Sequence, residues 1–292
     1  MKNFKNYLIG GALLMAAPLT FTSCEDILGH WEKPTPATPA APVLSPISKS
    51  LASVATDAAS IDVVDGDVIG GKVSSTGVND PTYGEHAFFI NVPDGASITL
   101  QNVEPNSAEQ CLVINCPGDA TINLEGNNSI SQLKAQDDTG NLTINSADGT
   151  GVLTVDFGLS NGNAIITGAA MKFTLNSGTL IAKCLNGTSS QGVAGSIIVN
   201  GGTLKAKGTH DGVGGHLTVN GTTAKVYTCG VTANGAAAHV TTSGGAVVFQ
   251  SDGSAAWATI SGTDATANTA SVKYITTDAT DGAAFNASIF DF

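Results

Sequence analysis

Short segments in which apolar and polar residues alternate recur along the chain, and such alternation predicts half-buried β-strands. Successive segments lie 18 to 31 residues apart when they are counted from their central residues. The eight centres are Thr99, Asn123, Thr143, Thr174, Ile198, Thr218, Thr241 and Thr259. A strand repeat of this length indicates a stack of similar coils.

From Thr174 onward the segments share a fixed register. A glycine lies six residues before each centre, at Gly168, Gly192, Gly212, Gly235 and Gly253. Asn or Ser lies two residues after each centre, at Asn176, Asn200, Asn220, Ser243 and Ser261. A second strand begins six residues after each centre, at Leu180, Leu204, Ala224, Val247 and Ala265. Because glycine and asparagine tolerate a positive φ, we interpret their positions as corners between strands.

This pattern predicts an all-β fold, a parallel β-helix (solenoid) of about eight coils. Each coil of such a solenoid buries its apolar face against its neighbours, and eight coils spaced about 4.8 Å apart form a rod of roughly 40 Å. Three alternatives fit less well. A left-handed hexapeptide helix would show a six-residue period through whole coils, leucine-rich repeats would need a helical stretch in each coil, and a β-sandwich would not need the fixed register.

The N-terminus has the pattern of an export signal. Two lysines precede an apolar run from Tyr7 to Phe21, which is too short to span a bilayer as a stable helix. The run ends Phe21-Thr22-Ser23-Cys24, which resembles a bacterial lipoprotein signal and implies that residues 1–23 are removed and that Cys24 carries the lipid. The acidic pair that follows resembles surface-export signals of some Gram-negative lipoproteins. We therefore expect a lipid-anchored protein of the outer membrane that faces the cell exterior.

The remaining sequence divides by composition. Five of the ten prolines lie between Lys33 and Ser48, so residues 24–50 are predicted to be the lipid attachment site and an extended linker. Residues 51–93 are predicted to cap one end of the β-helix, residues 94–268 to form it, and residues 269–292 to cap its other end.

Charge limits the classes of partner. All twelve basic residues are lysines and the net charge is −12, so nucleic-acid binding is not expected and no arginine is available to clamp a phosphate. The charges are also segregated along the chain. The stretch from Phe157 to Ser251 holds five lysines and one acidic residue, whereas the stretch from Asp57 to Asp156 holds fifteen acidic residues and two lysines.

Two stretches resemble the coil of a bacterial carbohydrate-binding β-helix family. They are Gly192-Val193-Ala194-Gly195-Ser196-Ile197-Ile198-Val199-Asn200-Gly201-Gly202-Thr203-Leu204-Lys205-Ala206 and residues 212–224. The resemblance covers roughly residues 137–265 and implies a right-handed parallel β-helix that binds acidic and cellulosic plant polysaccharides and uses calcium. That family tends to place Lys-Asp-Asp before the coil strand. Here Gly214-Gly215-His216 stands there, and only Asp137-Asp138 is similar to the acidic pair.

Strand alternation places a set of basic residues on one outward face of the predicted β-helix. Because Leu204 and Ala206 face inward, the lysines beside them face outward. With their neighbours on adjacent coils they form what we call the lysine face: Lys183, Lys205, Lys207, Lys225 and Tyr227. Stacked like charges repel, so a face that keeps them without local carboxylates is a candidate site for a polyanionic glycan such as a polyuronate, with the tyrosine stacking on a sugar ring. The alternative is a solvated surface that maintains solubility.

A second outward column lies two residues before the strand centres. Its members are Lys172, Ser196, His216, His239 and Trp257. Tryptophan offers a flat apolar face to a sugar and histidine a polar edge, so the last three residues are a second candidate ligand-binding set. Two adjacent histidines could also bind a metal, although a zinc site usually has more protein ligands. The alternative is an ordinary exposed ladder.

Two further sets of residues have structural explanations. Asp62, Asp65 and Asp67 could contribute oxygens to calcium, but their spacing is not that of an EF-hand, and a solvated acidic cap is the alternative. The cysteines after Cys24 are interpreted as buried, unpaired, small apolar residues, namely Cys111, Cys116, Cys184 and Cys229.

Three classes of function remain. We expect a non-catalytic binder of an acidic or plant-type polysaccharide, attached to a membrane by its lipid, with calcium as the candidate cofactor. A passive spacer or adhesin is the first alternative and a polysaccharide lyase the second. Enzyme activity is not expected, because glycoside hydrolysis usually needs two opposed carboxylates, and the regular coils offer one acidic residue and no arginine.

Overall fold

The computed structural model describes residues 44–135, 139–159, 162–236, 239–254, 256–260 and 272–292. The predicted signal peptide, Cys24 and the linker as far as residue 43 lie outside the described residues. So do Asp137, Asp138, Ser261, Ala265 and the first part of the predicted C-terminal cap.

Within the described residues, the strands are numbered β1 to β25 in chain order and form three sheets, named A, B and C. Sheet A contains β1 (Lys49–Ser50), β3 (Val68–Lys72), β6 (Ala96–Glu104), β8 (Ala120–Glu125), β11 (Asn141–Asn145), β14 (Lys172–Leu175), β17 (Ile197–Val199), β20 (Leu217–Asn220) and β22 (Val240–Ser243). Sheet B contains β2 (Ser60–Asp62), β5 (Gly84–Asn91), β7 (Cys111–Cys116), β10 (Gln132–Ala135), β13 (Asn163–Thr167), β16 (Gln191–Val193) and β19 (Asp211–Val213), with β4 (Val78–Asp80) paired to β5. Sheet C contains β9 (Asn127–Ile130), β12 (Val152–Asp156), β15 (Thr179–Cys184), β18 (Thr203–Gly208), β21 (Lys225–Gly230), β23 (Val248–Ser251), β24 (Ala258–Ile260) and β25 (Tyr274–Thr276).

From β7 to β21 the chain passes through the sheets in the repeating order B, A, C, and strands of successive turns pair in parallel. The strands β13, β14 and β15 form one turn, and β16, β17 and β18 form the next. Helix is limited in the described residues to two short 3₁₀ segments, Leu51–Ser53 and Ala287–Phe290. The predicted all-β parallel solenoid of about eight turns is confirmed.

The predicted register of sheet A is correct over its C-terminal half. Thr143, Thr174, Ile198, Thr218 and Thr241 are paired in succession, as their spacing indicated. Leu217 and Val219, which alternation directs inward, are fully buried. One step earlier the register differs by two residues, because Thr143 pairs with Thr121 and not with Asn123.

The prediction of a last parallel coil at Thr259 is wrong. Thr259 lies on β24, which belongs to sheet C and pairs antiparallel with β23. Strand β23 in turn pairs antiparallel with β25, which returns from the C-terminal segment to lie beside β21. An apolar–Thr–apolar segment therefore marks a strand, but it carries no information on the direction in which that strand pairs.

The glycines that recur at one position of the repeat reflect close packing of two sheets. Gly192 and Gly212 do not have a positive φ, so the corner interpretation is wrong for them. Gly212 lies on β19, and a Cβ atom there would lie 2.8 Å from the oxygen of Ala206 and 2.8 Å from the nitrogen of Cys229, both on sheet C. Glycine is needed because the backbones of sheets B and C approach each other closely inside the coil.

The asparagines of the repeat form a side-chain ladder. Among the described residues other than glycine, only Asn102 has a positive φ, so these asparagines are not left-handed corners either. Instead, each side chain donates to the oxygen of the residue one coil earlier, over 3.0 Å from Asn176 to Asn145, 2.9 Å from Asn200 to Asn176, and 2.7 Å from Asn220 to Asn200. Ser243 ends the ladder with a bond to Asn220. The ladder ties successive turns together at one edge of sheet A.

The N-terminal boundary of the solenoid lies earlier in the chain than predicted. Residues 51–93 form no separate cap, because β3 and β5 are in parallel pairing with β6 and β7 of the stack. The predicted linker also ends earlier than residue 50. The backbone nitrogen and hydroxyl of Ser45 donate to the Glu125 carboxylate at 2.9 and 2.6 Å, and β1 already pairs with β3.

Candidate functional site

The lysine face exists, and sheet C carries all of it. Lys183 lies on β15, Lys205 and Lys207 lie on β18, and Lys225 and Tyr227 lie on β21. The register sets Lys183 beside Lys207 and Lys205 beside Tyr227 on neighbouring strands. The predicted placement of these five residues on one sheet is therefore correct.

The prediction that this face lacks local carboxylates is wrong. The Lys183 ammonium lies 2.9 Å from a carboxylate oxygen of Asp156, which occupies the neighbouring position on β12. The Lys207 ammonium donates to the backbone oxygen of Phe290 at 2.9 Å. Two of the four lysines are thus bound within the protein, and their repulsion is reduced by partners that the sequence places far away.

The C-terminal residues cover part of the lysine face. The ring centroid of Phe292 lies 5.3 Å from the Lys205 ammonium and 5.9 Å from that of Lys207. The Tyr227 hydroxyl donates to the Asp278 carboxylate at 3.1 Å. Burial, together with that bond to a carboxylate, raises the pKa of Tyr227 to about 12. Tyr227 is therefore held by the protein's own chain rather than free to stack on a sugar.

The predicted column is correct for His216 and His239 and wrong for Trp257. The rings of His216 and His239 are neighbours on successive turns, with centroids 4.8 Å apart. Trp257 is not in their column, because it precedes β24 of sheet C and is only 4% exposed. As an exposed sugar platform, Trp257 is excluded.

Trp257 belongs to a second, small apolar core on the outer surface of sheet C. Its buried members are Cys229, Phe249, Trp257 and Phe290. The Trp257 ring lies 5.3 Å from that of Phe285 and 6.3 Å from that of Phe290. This core holds the C-terminal segment on the solenoid, and it explains why Cys229 is buried although its position on β21 faces outward.

A groove that the sequence analysis missed lies on sheet B. It has a volume of about 640 Å³ and crosses four strands, β2, β5, β7 and β10. One side is a polar ladder in register: Asp62, Asn91, Asn115 and Lys134. The Asn91 amide donates to Asp62 at 2.9 Å, and the Asn115 amide donates to Asn91 at 3.2 Å.

The other side of the groove is apolar. Its floor contains Val63, Val92 and Cys116, and its rim contains Pro93 and Pro117, which are exposed on neighbouring turns. The groove therefore combines a ladder of hydrogen-bonding groups with a row of apolar rings, and both run along the axis of the stack. We call this site the amide–proline groove.

The sequence does contain the signal for this groove. Asn91-Val92-Pro93 and Asn115-Cys116-Pro117 are two copies of Asn–apolar–Pro, 24 residues apart. That interval is one coil, so the two asparagines and the two prolines must lie on neighbouring turns. This signal differs from the charged and aromatic columns of the C-terminal coils, because its residues are uncharged and lie in the N-terminal half of the fold.

The three acidic residues of the first turns, Asp62, Asp65 and Asp67, have different hydrogen-bond partners. Asp62 accepts from Asn91, Asp65 accepts from the backbone of Ser97 at 2.8 Å, and Asp67 accepts from the Ser48 hydroxyl at 2.8 Å. In the described part of the chain, no group of three or more His, Cys, Asp or Glu side chains is arranged to hold a metal ion. Each of these three carboxylates accepts a hydrogen bond from a different partner within the fold.

The four described cysteines are free and buried, as expected. Burial raises the pKa of Cys116 to about 12 and that of Cys229 to about 11. Because the thiolate is the reactive form, none of these thiols has the environment of a catalytic nucleophile.

No family model, curated protein or solved structure matches this chain. No helix among the described residues is both long enough and apolar enough to cross a membrane.

Proposed function

We propose that this protein is a non-catalytic, lipid-anchored polysaccharide-binding β-solenoid, and that the amide–proline groove is its main binding surface. The observation that carries the proposal is the repetition of one amide and one proline from each of two successive turns inside a groove of about 640 Å³. Binding sites for small molecules are typically concave and mostly apolar, with a few polar groups that fix orientation. The groove has this composition.

The amide ladder keeps capacity for a ligand. A primary amide has two N–H donors and an oxygen that accepts two hydrogen bonds. In the ladder Asn91 uses one donor and one acceptor position, toward Asp62 and from Asn115 respectively. The remaining donor and acceptor positions can bind hydroxyl groups, which both donate and accept.

The spacing of the groove favours a polymer. Neighbouring strands lie about 4.8 Å apart, so equivalent groups recur at that interval along the axis. A linear polysaccharide that lies along this axis meets an amide and a proline ring on each turn, with its hydroxyls toward the amides and its C–H faces toward the prolines. A chain ligand thereby gains affinity from several weak contacts made at once.

The charges at the two ends determine which glycan fits. Asp62 lies at one end of the ladder and Lys134 at the other, so the groove carries no net charge along its length. The lysine face is a poorer site for a polyuronate, since Lys183 and Lys207 already have partners. We therefore expect neutral polysaccharides to bind in the groove and acidic ones to bind weakly, with strong salt dependence.

The test is affinity electrophoresis of the soluble domain in gels that contain a neutral or an acidic polysaccharide. The variant Asn91→Ala/Asn115→Ala should lose retardation in the neutral gels. A matched control is Asn176→Ala/Asn200→Ala, which removes two amides from the side-chain ladder at one edge of sheet A, outside the groove. Retardation of the groove variant equal to that of the control would refute the groove as the binding surface.

A third variant separates the two surfaces. Lys205→Gln/Lys207→Gln changes the lysine face and leaves the groove intact. If this variant alone loses retardation, and does so only in acidic gels, the lysine face is the glycan site. If no polysaccharide retards the wild-type domain, the passive spacer function is favoured.

A further inference from the structure

Two imidazole rings meet on the outer surface of sheet A, far along the chain from the groove. His216 immediately precedes β20 and His239 immediately precedes β22, and these two strands pair in parallel. Their ring centroids are 4.8 Å apart and their ring planes are inclined by 36°. The backbone fixes this proximity, because the nitrogen of Leu217 donates to the oxygen of His239 at 2.9 Å.

One ring nitrogen of this pair is buried without a hydrogen-bond partner in the described part of the chain. Nδ1 of His239 is buried, and it has no hydrogen-bond partner among the described residues. A buried polar atom without a hydrogen-bond partner destabilises the folded state, so such atoms are rare in folded proteins. A neighbouring imidazole together with an unsatisfied ring nitrogen is the arrangement expected where a bound cation supplies the missing partner.

We propose that His216 and His239 bind one transition-metal ion between two successive turns. Zinc, nickel and copper ions bind the nitrogen of neutral imidazole at about 2.0–2.1 Å, so two nitrogens on one tetrahedral ion lie about 3.3 Å apart. Each ring nitrogen lies off its ring centroid, so centroids 4.8 Å apart are compatible with two nitrogens at that separation. Water completes the coordination on the outer side.

The surroundings define the class of metal. The column continues toward earlier turns with Ser196 and Lys172, and the Ser196 hydroxyl already accepts from the backbone of His216 at 3.0 Å. A site of two imidazoles and water, without carboxylates, favours ions that prefer nitrogen ligands over calcium or magnesium. Among these ions affinity should rise from nickel to copper and fall again at zinc.

Such an ion would cross-link two successive turns of the solenoid. It binds both histidines only when their coils are stacked, so it stabilises the folded state over the unfolded chain by an amount that grows with the logarithm of its concentration relative to Kd. This inference does not depend on the proposed glycan binding, since sheet A and the groove are separate surfaces.

The experiment is isothermal titration of Ni²⁺ into the purified domain, which carries no histidine tag. We expect one ion per chain for the wild type and at least a tenfold loss of affinity in His216→Gln and in His239→Gln. The controls are His86→Gln and His210→Gln, which remove histidines of other surfaces and should bind Ni²⁺ like the wild type.

Circular dichroism of each variant checks that it is folded. His216 is exposed, so its substitution is the decisive arm even if His239→Gln proves unstable. Equal affinity in His216→Gln and wild type, or the absence of binding heat in the folded wild type, would overturn the assignment.

Discussion

Asp211 is the one acidic residue between Phe157 and Ser251, and its side chain is only 1% exposed. A buried carboxylate is costly unless it is paired and hydrogen-bonded. Asp211 accepts from the Gln191 amide at 2.9 Å and from the backbone of Asn234 at 3.2 Å, and it lies 2.7 Å from Nδ1 of His210. One carboxylate thus joins three successive turns, at the residues where β16 and β19 of sheet B begin.

We predict that Asp211→Asn lowers the free energy of unfolding by about 2 kcal/mol, because hydrogen bonds to a charged group contribute roughly 1.5–3 kcal/mol and the new amide sets a donor against existing donors. Urea unfolding followed by circular dichroism measures the change. Asp156→Asn is the control. It breaks an ion pair with a half-exposed carboxylate, and such surface pairs contribute about 0–1 kcal/mol. Equal effects of the two substitutions would show that burial of Asp211 is unimportant.

At the scale of the elements, the close approach of sheets B and C depends on glycine. At Gly212 a Cβ atom would lie 2.8 Å from three backbone atoms, whereas at Gly221, which has a φ of 78°, nothing lies within 4 Å. We predict that Gly212→Ala costs about 3 kcal/mol or more, because backbone atoms of two sheets would have to separate. Gly221→Ala should cost only about 1–2 kcal/mol through its left-handed backbone.

Thermal unfolding of the two glycine variants tests this ranking. If Gly212→Ala is the more stable of the two, sheets B and C do not approach as closely as described, and the repeat glycines are corner residues after all.

The sequence predicts elements better than it predicts their partners. Strand alternation and the fixed register locate sheet A from Thr143 to Thr241, because each inward residue must match the residue above it. The same local pattern fails at Thr259, where the strand reverses direction. Reversal is decided by residues of the C-terminal segment, such as Tyr274 and Phe290, which pack on sheet C from far along the sequence.

The candidate sites follow the same rule. The outward positions of Lys183, Lys205 and Lys207 were predictable from alternation, whereas their partners Asp156 and Phe290 were not. His216 and His239 meet because their spacing equals one coil. The amide–proline groove was predictable in principle from the 24-residue interval between its two Asn–apolar–Pro segments.

At the scale of the whole molecule, the sequence before the described fold predicts how the solenoid is attached to a membrane. The apolar run that ends at Cys24 predicts a lipid anchor, and the described fold begins with Leu44. We predict that Cys24→Ala abolishes lipid attachment and moves the protein from the detergent phase to the aqueous phase in Triton X-114 partition. Cys111→Ala, which changes a buried thiol of the solenoid, should leave the partition unchanged. Metabolic labelling with a fatty acid that persists in Cys24→Ala would contradict the assignment.

The reversal of sheet C has a consequence for self-assembly. In a parallel stack the last strand exposes unpaired backbone groups that could accept the first strand of another copy, and repetition of that step would build a fibre. Here β21 is followed by β25, which runs antiparallel, and then by β23 and β24. A further parallel coil therefore finds no matching edge on sheet C. By removing a parallel edge from sheet C, the C-terminal segment disfavours end-to-end polymerisation of a chain whose repeats would otherwise stack copy on copy.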